Sequence, residues 1–473
     1  MSDPLAPPKN PFDVYIPTAE NPFNTKRLAH LLRRTAFTLT ADRLDKFTAG
    51  GGKSPSEILD WLFTYDPEND PLNPLLDQME GLLAPFNKPE AAQQWWVYRL
   101  LKSPRPLQEK IALLWHNHFA TAVGKGDNGQ MPMRMHSQID LFRRLGLANF
   151  RELALEVGRN PAMLVWLDGQ FNRKGKPNEN YGRELQELFT LGIGNYTESD
   201  VKEVARAYTG WRIKDEKGVL DPKAFDDGEK EIYGKKGNFN DEAVVDLILS
   251  QPACPKHIAS RLLREFVHPN PTAEMIEHYA ARLVETKWEL KPVVREMLSS
   301  NLFFSDWAYR SKIKSPAELV TGSLLAITAM GGKASIEYAL KAMISMGQPI
   351  MNPPSVKGWD GEETWINANT LFLRYNFAAA VANQKGKEFT RKSDLKTFLE
   401  KRDLTTADKI VDHFATIFLD GQLPEGLKEK LTAFMATTVK GKPAPFTLTA
   451  DSVHTKVRSV LNILMATPEY QLS

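Results

Sequence analysis

The sequence predicts a mainly α-helical fold, a large multi-helix body, on three observations. Apolar residues recur at helical spacing through most of the 473 residues, alternating apolar and polar runs are scarce, and helix-start signals are frequent. A hydrophobic content of 42% supplies a sizeable core, and a charged content of 25% suits a solvated surface. By length alone the chain holds roughly two or three domains.

In chain order, MSDPLAPPKNPFDVYIPTAENPFN at 1–24 is rich in proline and has no apolar core of a leader peptide, so it reads as an extended arm. A main helical domain is expected over 25–383. Within it, Ser54-Pro55-Ser56-Glu57 and Ser315-Pro316-Ala317-Glu318 each put Ser at an N-cap, Pro at the first helical position and Glu three residues after the cap. Asn149 with Glu152 is another start, and Thr197-Glu198-Ser199-Asp200 places acid in a first turn. Gly210 and Gly331-Gly332 are expected stops. These signals imply about fifteen helices. The stretch Lys214 to Glu242 is dense in charge and turn residues and reads as a long loop or flap; any sheet would be a small hairpin within 212–240. Its Asp226-Asp227-Gly228 hints at calcium but lacks the loop spacing and closing Glu. NQKGKEFTRKSD at 383–394 separates off a C-terminal helical segment, 384–473, expected to pack on the main domain. VVREMLSSNLFFS at 293–305 and VLNILMATPEYQL at 460–472 both read as an amphipathic helix, a Ser or Thr turn and an aromatic anchor.

Lys and Arg total 60 against 58 Asp and Glu, so a net charge of +2 gives no pull toward nucleic acid or anionic membranes. A single cysteine, Cys254, excludes an intrachain disulfide and every multi-cysteine metal site, leaving His, Asp and Glu for any metal. There is no uninterrupted apolar run of 18 residues, so no membrane span is expected, and a cytoplasmic location follows from the chain as written.

Three stretches carry candidate chemistry. In PNENYGRELQELFTLGIGNY, 177–196, Tyr181, Leu185, Leu188 and Phe189 share a buried stripe at 100° per residue, whereas Glu179, Arg183 and Glu187 point away. Glu179 and Arg183 are spaced for a surface ion pair, and Glu184 borders the stripe, where burial would raise its pKa. In EKIALLWHNHFATAVGK, 109–125, His118 shares one face with Leu107, Ile111, Leu114 and Trp115 and should be buried. His116 lies on the flank above Glu109, and the two histidines can hold one ion only if the helix frays. The GKGDNGQ run at 124–130 points to a helix end near there. In MGQPIMNPPSVKGWDGEETWINANTLFLRYNF, 346–377, Trp359 and Trp365 sit on a Gly/Pro-rich loop that enters a helix near Asn367. Their rings either stack on a sugar or pin the loop to the core.

HLLRRTAF at 30–37, LLWHNHFAT at 113–121, the stretch from NPAMLVW to ARAYTGW at 160–211, and GQPIMNPPSVKGWDGEETWIN at 347–367 occur together in an order that resembles the bacterial family catalogued as domain of unknown function 1800. The resemblance spans about 27–383. It implies that His116, His118, Asn178, Glu179, Asn180, Arg183, Glu184, Trp359, Trp365 and Asn367 are the matching motif positions. It further implies an export signal and a sulfatase-like protein partner, and a histidine before Asp-Asp-Gly where this chain has Phe225. Residues 1–24 read as an extended arm and not as such a signal, which runs against that expectation.

Two functions compete on these residues. One is a hydrolase-like enzyme, with or without a divalent metal, sited between the WHNHF and PNENYGREL helices. There His118 is general base or ligand, Glu184 its carboxylate partner, and Arg183 the holder of an anionic substrate group. His116, Asn178, Glu179 and Asn180 would line that site, while Trp359, Trp365 and Asn367 would bind a small-molecule or saccharide ligand. The other is a non-catalytic glycan- or protein-binding scaffold in which the same polar groups form a satisfied structural network.

Overall fold

Helices begin where the caps put them. Ser54 and Ser315 each form a complete capping box, with Glu57 and Glu318 returning the bond, and Asn149 accepts from the Arg151 amide. Thr197 and Asp200 make another box, so the acid at that first turn serves the cap as well as the helix dipole. Gly210 and Gly331 take left-handed φ of +92° and +85° soon after their helices end, as expected of stops. The computed structural model describes residues 6–64, 88–125, 129–438 and 442–473; the first five residues of the arm and 126–128 of the GKGDNGQ run lie outside these.

Helix accounts for 57% of the structure and strand for 7%, which makes the fold mainly α. More than twenty helices occur among the described residues, above the fifteen or so expected, because many are short. The charged stretch after Gly210 is more ordered than a loop. It folds into two hairpins, Trp211–Lys214 with Lys217–Leu220 and Lys230–Ile232 with Lys235–Gly237. Arg206 fixes its turn by paired bonds to Asp226 at 3.0 and 3.2 Å, Lys174 pairs with Asp227, and the Lys230 ammonium lies 5.1 Å from the centre of the Phe225 ring. Both aspartates of the Asp-Asp-Gly run are therefore held by cations. A third pairing, Lys333–Ala334 with Phe389–Arg391, draws the break at 383–394 back to the body and was not expected.

The two echoing segments share their ending. Ser300 and Thr467 each donate to the carbonyl three residues back, and each accepts from the amide three residues on, of Phe303 and Tyr470. One apolar core runs from Tyr15 in the arm to Tyr470 near the end, and buried ties cross it, as between Arg33 and Asp420. At its centre lies the helix Pro106–His118. It packs on Thr25–Ala36 and Met131–Leu145, and Leu107, Ile111 and Trp115 have no exposed surface. Burying one such side chain contributes about 1.5–3 kcal/mol. No described helix is long and apolar enough to cross a membrane.

Candidate functional site

Three successive residues at the end of the Pro106–His118 helix hold two other segments, His116 and Asn117 the tryptophan loop and His118 the end of the PNENYGREL helix. The Met351 amide donates to His116 Nε2 at 3.1 Å, so His116 is neutral with its proton on Nδ1. Asn117 grips Trp359 from both sides: its Oδ1 accepts from the Trp359 amide at 2.7 Å, and its Nδ2 donates to the Trp359 carbonyl at 3.3 Å. His118 Nε2 donates to the Phe189 carbonyl at 2.9 Å. Burial lowers His116 to about 3, and burial together with nearby Arg261 and His257 puts His118 well below the ordinary imidazole value. The helix stays regular through His118, and the two rings serve different segments.

The expected PNENYGREL helix changes pitch midway. Residues Glu179–Glu184 are α-helical and Leu185–Thr190 form a π-helical turn. Gly182 permits the close approach to the next helix, since a Cβ there would lie 3.1 Å from the Ala205 amide nitrogen. The wheel holds for Tyr181, Leu185 and Phe189, which are buried, but the pitch change leaves Leu188 only half-buried and turns Gln186 fully inward, where it bonds the Gly182 carbonyl and the Tyr233 hydroxyl. The orphan carbonyls at this helix end are capped by imidazoles, Phe189 by His118 and Leu188 by His257 at 3.0 Å. The two histidine rings lie 5.8 Å apart.

The remaining residues of that motif face elsewhere. Arg183 forms a two-pronged ion pair with Glu198 at 2.7 and 2.8 Å, with Glu179 at 3.4 Å completing the surface cluster. Asn178 caps the helix by accepting from the Asn180 amide, and Asn180 is exposed. Glu184 is half-buried; burial and then Glu187 raise its pKa. Among the described residues no hydrogen bond or ion pair joins Glu184 or Arg183 to His118, and the charges that shift His118 are those of Arg261 and His257. Thus the structure brings His116, His118 and the Trp359 loop to one helix end, but gives His118, Glu184 and Arg183 separate partners.

The tryptophan loop packs directly on this helix end. Gly358, at φ +83°, lets it do so, because a Cβ there would collide with the Asn117 carbonyl. Trp359 and Trp365 are 8% and 7% exposed, so they pin the loop, yet both also line a cleft of about 330 Å³. Asn367 caps the following helix in a box with Thr370.

The cleft is walled by the Pro106–His118 helix, the Ala253–Phe266 helix and this loop, and its floor is ionic. Lys110 pairs with Glu318 and, at 3.2 Å, with Glu265; Lys312 lies 3.5 Å from Glu265 and donates to its carbonyl at 2.7 Å. Glu318 also accepts from the Ser315 amide at 2.8 Å, as its capping box requires. Burial opposes every charge here. The cations nonetheless hold Glu318 and Glu265 below the usual carboxylate range. Glu362 differs: it accepts from the Ile313 amide at 2.9 Å, but burial outweighs its neighbours and raises its pKa. Arg261 completes the wall.

Lys110, Arg261, Glu265, Lys312 and Glu362 were not singled out from the sequence, and Glu318 was read only as a cap. Glu362 stands inside the GWDGEETWIN run, which is the one signal that pointed here. Among the described residues, no group of three or more His, Cys, Asp or Glu is arranged to hold a metal ion.

No curated protein and no solved structure matches the chain. The model of the family described as protein of unknown function (DUF1800) matches residues 30–472, nearly the whole chain and beyond the span of the four motifs. The chain belongs to that family.

Proposed function

We propose that the protein binds a small saccharide, of one or two sugar units, in the cleft beneath the tryptophan loop. The observation that carries this reading is a concave site of about 330 Å³ in which two indoles adjoin a ring of hydrogen-bonding groups. That volume falls near the lower end of the range of about 300–1,000 Å³ for small-molecule sites. A sugar presents hydroxyls, which need both donors and acceptors, and C–H faces, which need an aromatic edge. Asn117, Gln348 and the carboxylates meet the first need, and Trp359 and Trp365 meet the second.

A hydrolase acting on that ligand is the second reading, favoured by Glu362. Burial raises the pKa of Glu362, which is the direction that a general acid giving a proton to a leaving oxygen requires. In this reading His116 and His118 position the loop and the neighbouring helix, and the cleft carboxylates do the acid–base work.

Titration of neutral and acidic mono- and disaccharides, followed by intrinsic tryptophan fluorescence, should give a saturable change that is weakened in Trp365→Phe. Complete insensitivity to the whole panel sinks the saccharide reading. For the hydrolase reading, Glu362→Gln should keep binding while release of reducing ends from disaccharides stops; wild-type protein that releases none refutes it.

A further inference from the structure

We propose that the ligand of this cleft is a sugar acid, and that its carboxylate docks on Arg261. The inference rests on the saccharide reading above and assigns the charge of the ligand. Arg261 is half-buried on the Ala253–Phe266 helix and lines the cleft. Its Nε is buried without a hydrogen-bond partner, and among the described residues its side chain makes no ion pair. Glu265, one turn further along, is the attractive charge nearest to it in effect, but both Lys110 and Lys312 already hold that carboxylate.

Leaving a guanidinium donor out of water with nothing to bond costs free energy, so a guanidinium with an unmatched Nε at the wall of a concave site points to a partner that arrives from outside. The buried floor supports the sign of that partner. Glu318, Glu362 and Glu265 are the charges that act on buried Arg34, whose Nη2 donates to the Ala308 carbonyl and to Ser311 but whose Nε and Nη1 are also buried without partners. Arg34, Lys110, Arg261 and Lys312 thus stand against three carboxylates, Glu265, Glu318 and Glu362, an excess of one positive charge in this set with all three ionised. One added anion balances the set. Asp360 and Glu363 at the mouth carry the opposite charge, but Asp360 is exposed and pairs with Lys357, where solvent screens it.

A planar guanidinium matches a carboxylate through two parallel N–H···O bonds, which selects a sugar acid over a neutral sugar of the same shape. The hydroxyls then fall to the neutral polar side chains and the indoles already described.

The test compares D-glucuronate and D-galacturonate with D-glucose and D-galactose on the full chain, by fluorescence titration and thermal shift. The acids should bind about tenfold or more tighter than their neutral counterparts, and Arg261→Met should erase that difference. Because Arg261 has no partner to lose, Arg261→Met should keep or raise the thermal midpoint, whereas a structural arginine would lower it. Equal affinity for acids and neutral sugars, or a preference that survives Arg261→Met, overturns the sugar-acid inference and leaves the saccharide reading standing. Failure of all four sugars overturns the sugar-acid inference, and failure of the disaccharides as well overturns both. Sodium sulfate and sodium acetate run at matched concentration complete the set: binding as tight as the uronates would show a general anion site and overturn the assignment to a sugar.

Discussion

His257 and Arg261 stand one turn apart on the same helix, and only His257 has a partner. His257, like His118 beside it, donates to a carbonyl that the π-helical turn leaves open, so each polar group there is matched within the fold. Arg261 points into the cleft region with its Nε unmatched. The junction is held by neutral imidazoles and the cleft by full charges. The difference teaches that a missing partner marks a ligand site only where a cavity adjoins it: His116 Nδ1 and Arg34 Nε are also buried and unmatched, but of these three side chains only Arg261 combines an unmatched nitrogen with no hydrogen bond of its own, among the described residues, at the cleft wall.

The strongest challenge to that distinction is Lys110, which lies in the cleft but is fully engaged with Glu265 and Glu318. If satisfaction marks structure, Lys110→Met should behave as a fold mutation, stranding the Glu318 carboxylate from its ion-pair partner and leaving Glu265 to Lys312 alone, at a cost of about 3–5 kcal/mol. Urea denaturation followed by circular dichroism measures this directly. A loss under about 1 kcal/mol would mean that the cleft floor is not held by its ion pairs, and the contrast with Arg261 would vanish.

Next in size is the junction itself. His118→Ala strands the Phe189 carbonyl and opens space between Trp115 and Phe119, for an expected loss of about 2–3 kcal/mol with uronate affinity retained in the folded fraction. The pH dependence follows from the same burial. Folding holds His116 at about 3 and His257 at about 4, and keeps His118 well below its ordinary 6.5. The unfolded chain therefore takes up protons first as the pH falls, so stability is complete above about 6.5 and declines toward about 4. Glu265 and Glu318, whose pKa values are lowered, extend the decline below the usual carboxylate range. Thermal midpoints in wild type should drop steadily from pH 7 to pH 4, and His118→Ala should flatten part of that slope. A flat profile between 7 and 5 would show that these imidazoles are not buried neutral.

Much of the fold was legible because its signals are local. A capping box needs only four residues, and Ser54, Thr197 and Ser315 each begin a helix. The ends of the WHNHF helix and the tryptophan loop were legible as unusual concentrations of polar and aromatic groups. Helical wheels failed in two places for physical reasons. The π-helical turn breaks the 100° period and turns Gln186 inward. The central helix is covered on nearly all sides, so Glu109 and Lys110 are buried although they lie off the apolar face. Arg261 was illegible: RLLREF is an ordinary amphipathic helix, and lacking a partner is a property of the neighbours, not of the residue.

The smallest effect belongs to Arg183, the residue to which the sequence assigned an anionic substrate. Its partner Glu198 is exposed and the pair sits at the surface, where such pairs contribute about 0–1 kcal/mol. Arg183→Ala should therefore lower stability by less than about 1 kcal/mol, less again in high salt, and leave uronate binding as it was. The two arginines then form a direct contrast. Arg261 would be dispensable for the fold and needed for the ligand, and Arg183 nearly dispensable for both. If Arg183→Ala instead abolished binding at unchanged stability, the ion pair with Glu198 would be a resting contact that the ligand displaces, and the site would belong on the PNENYGREL helix.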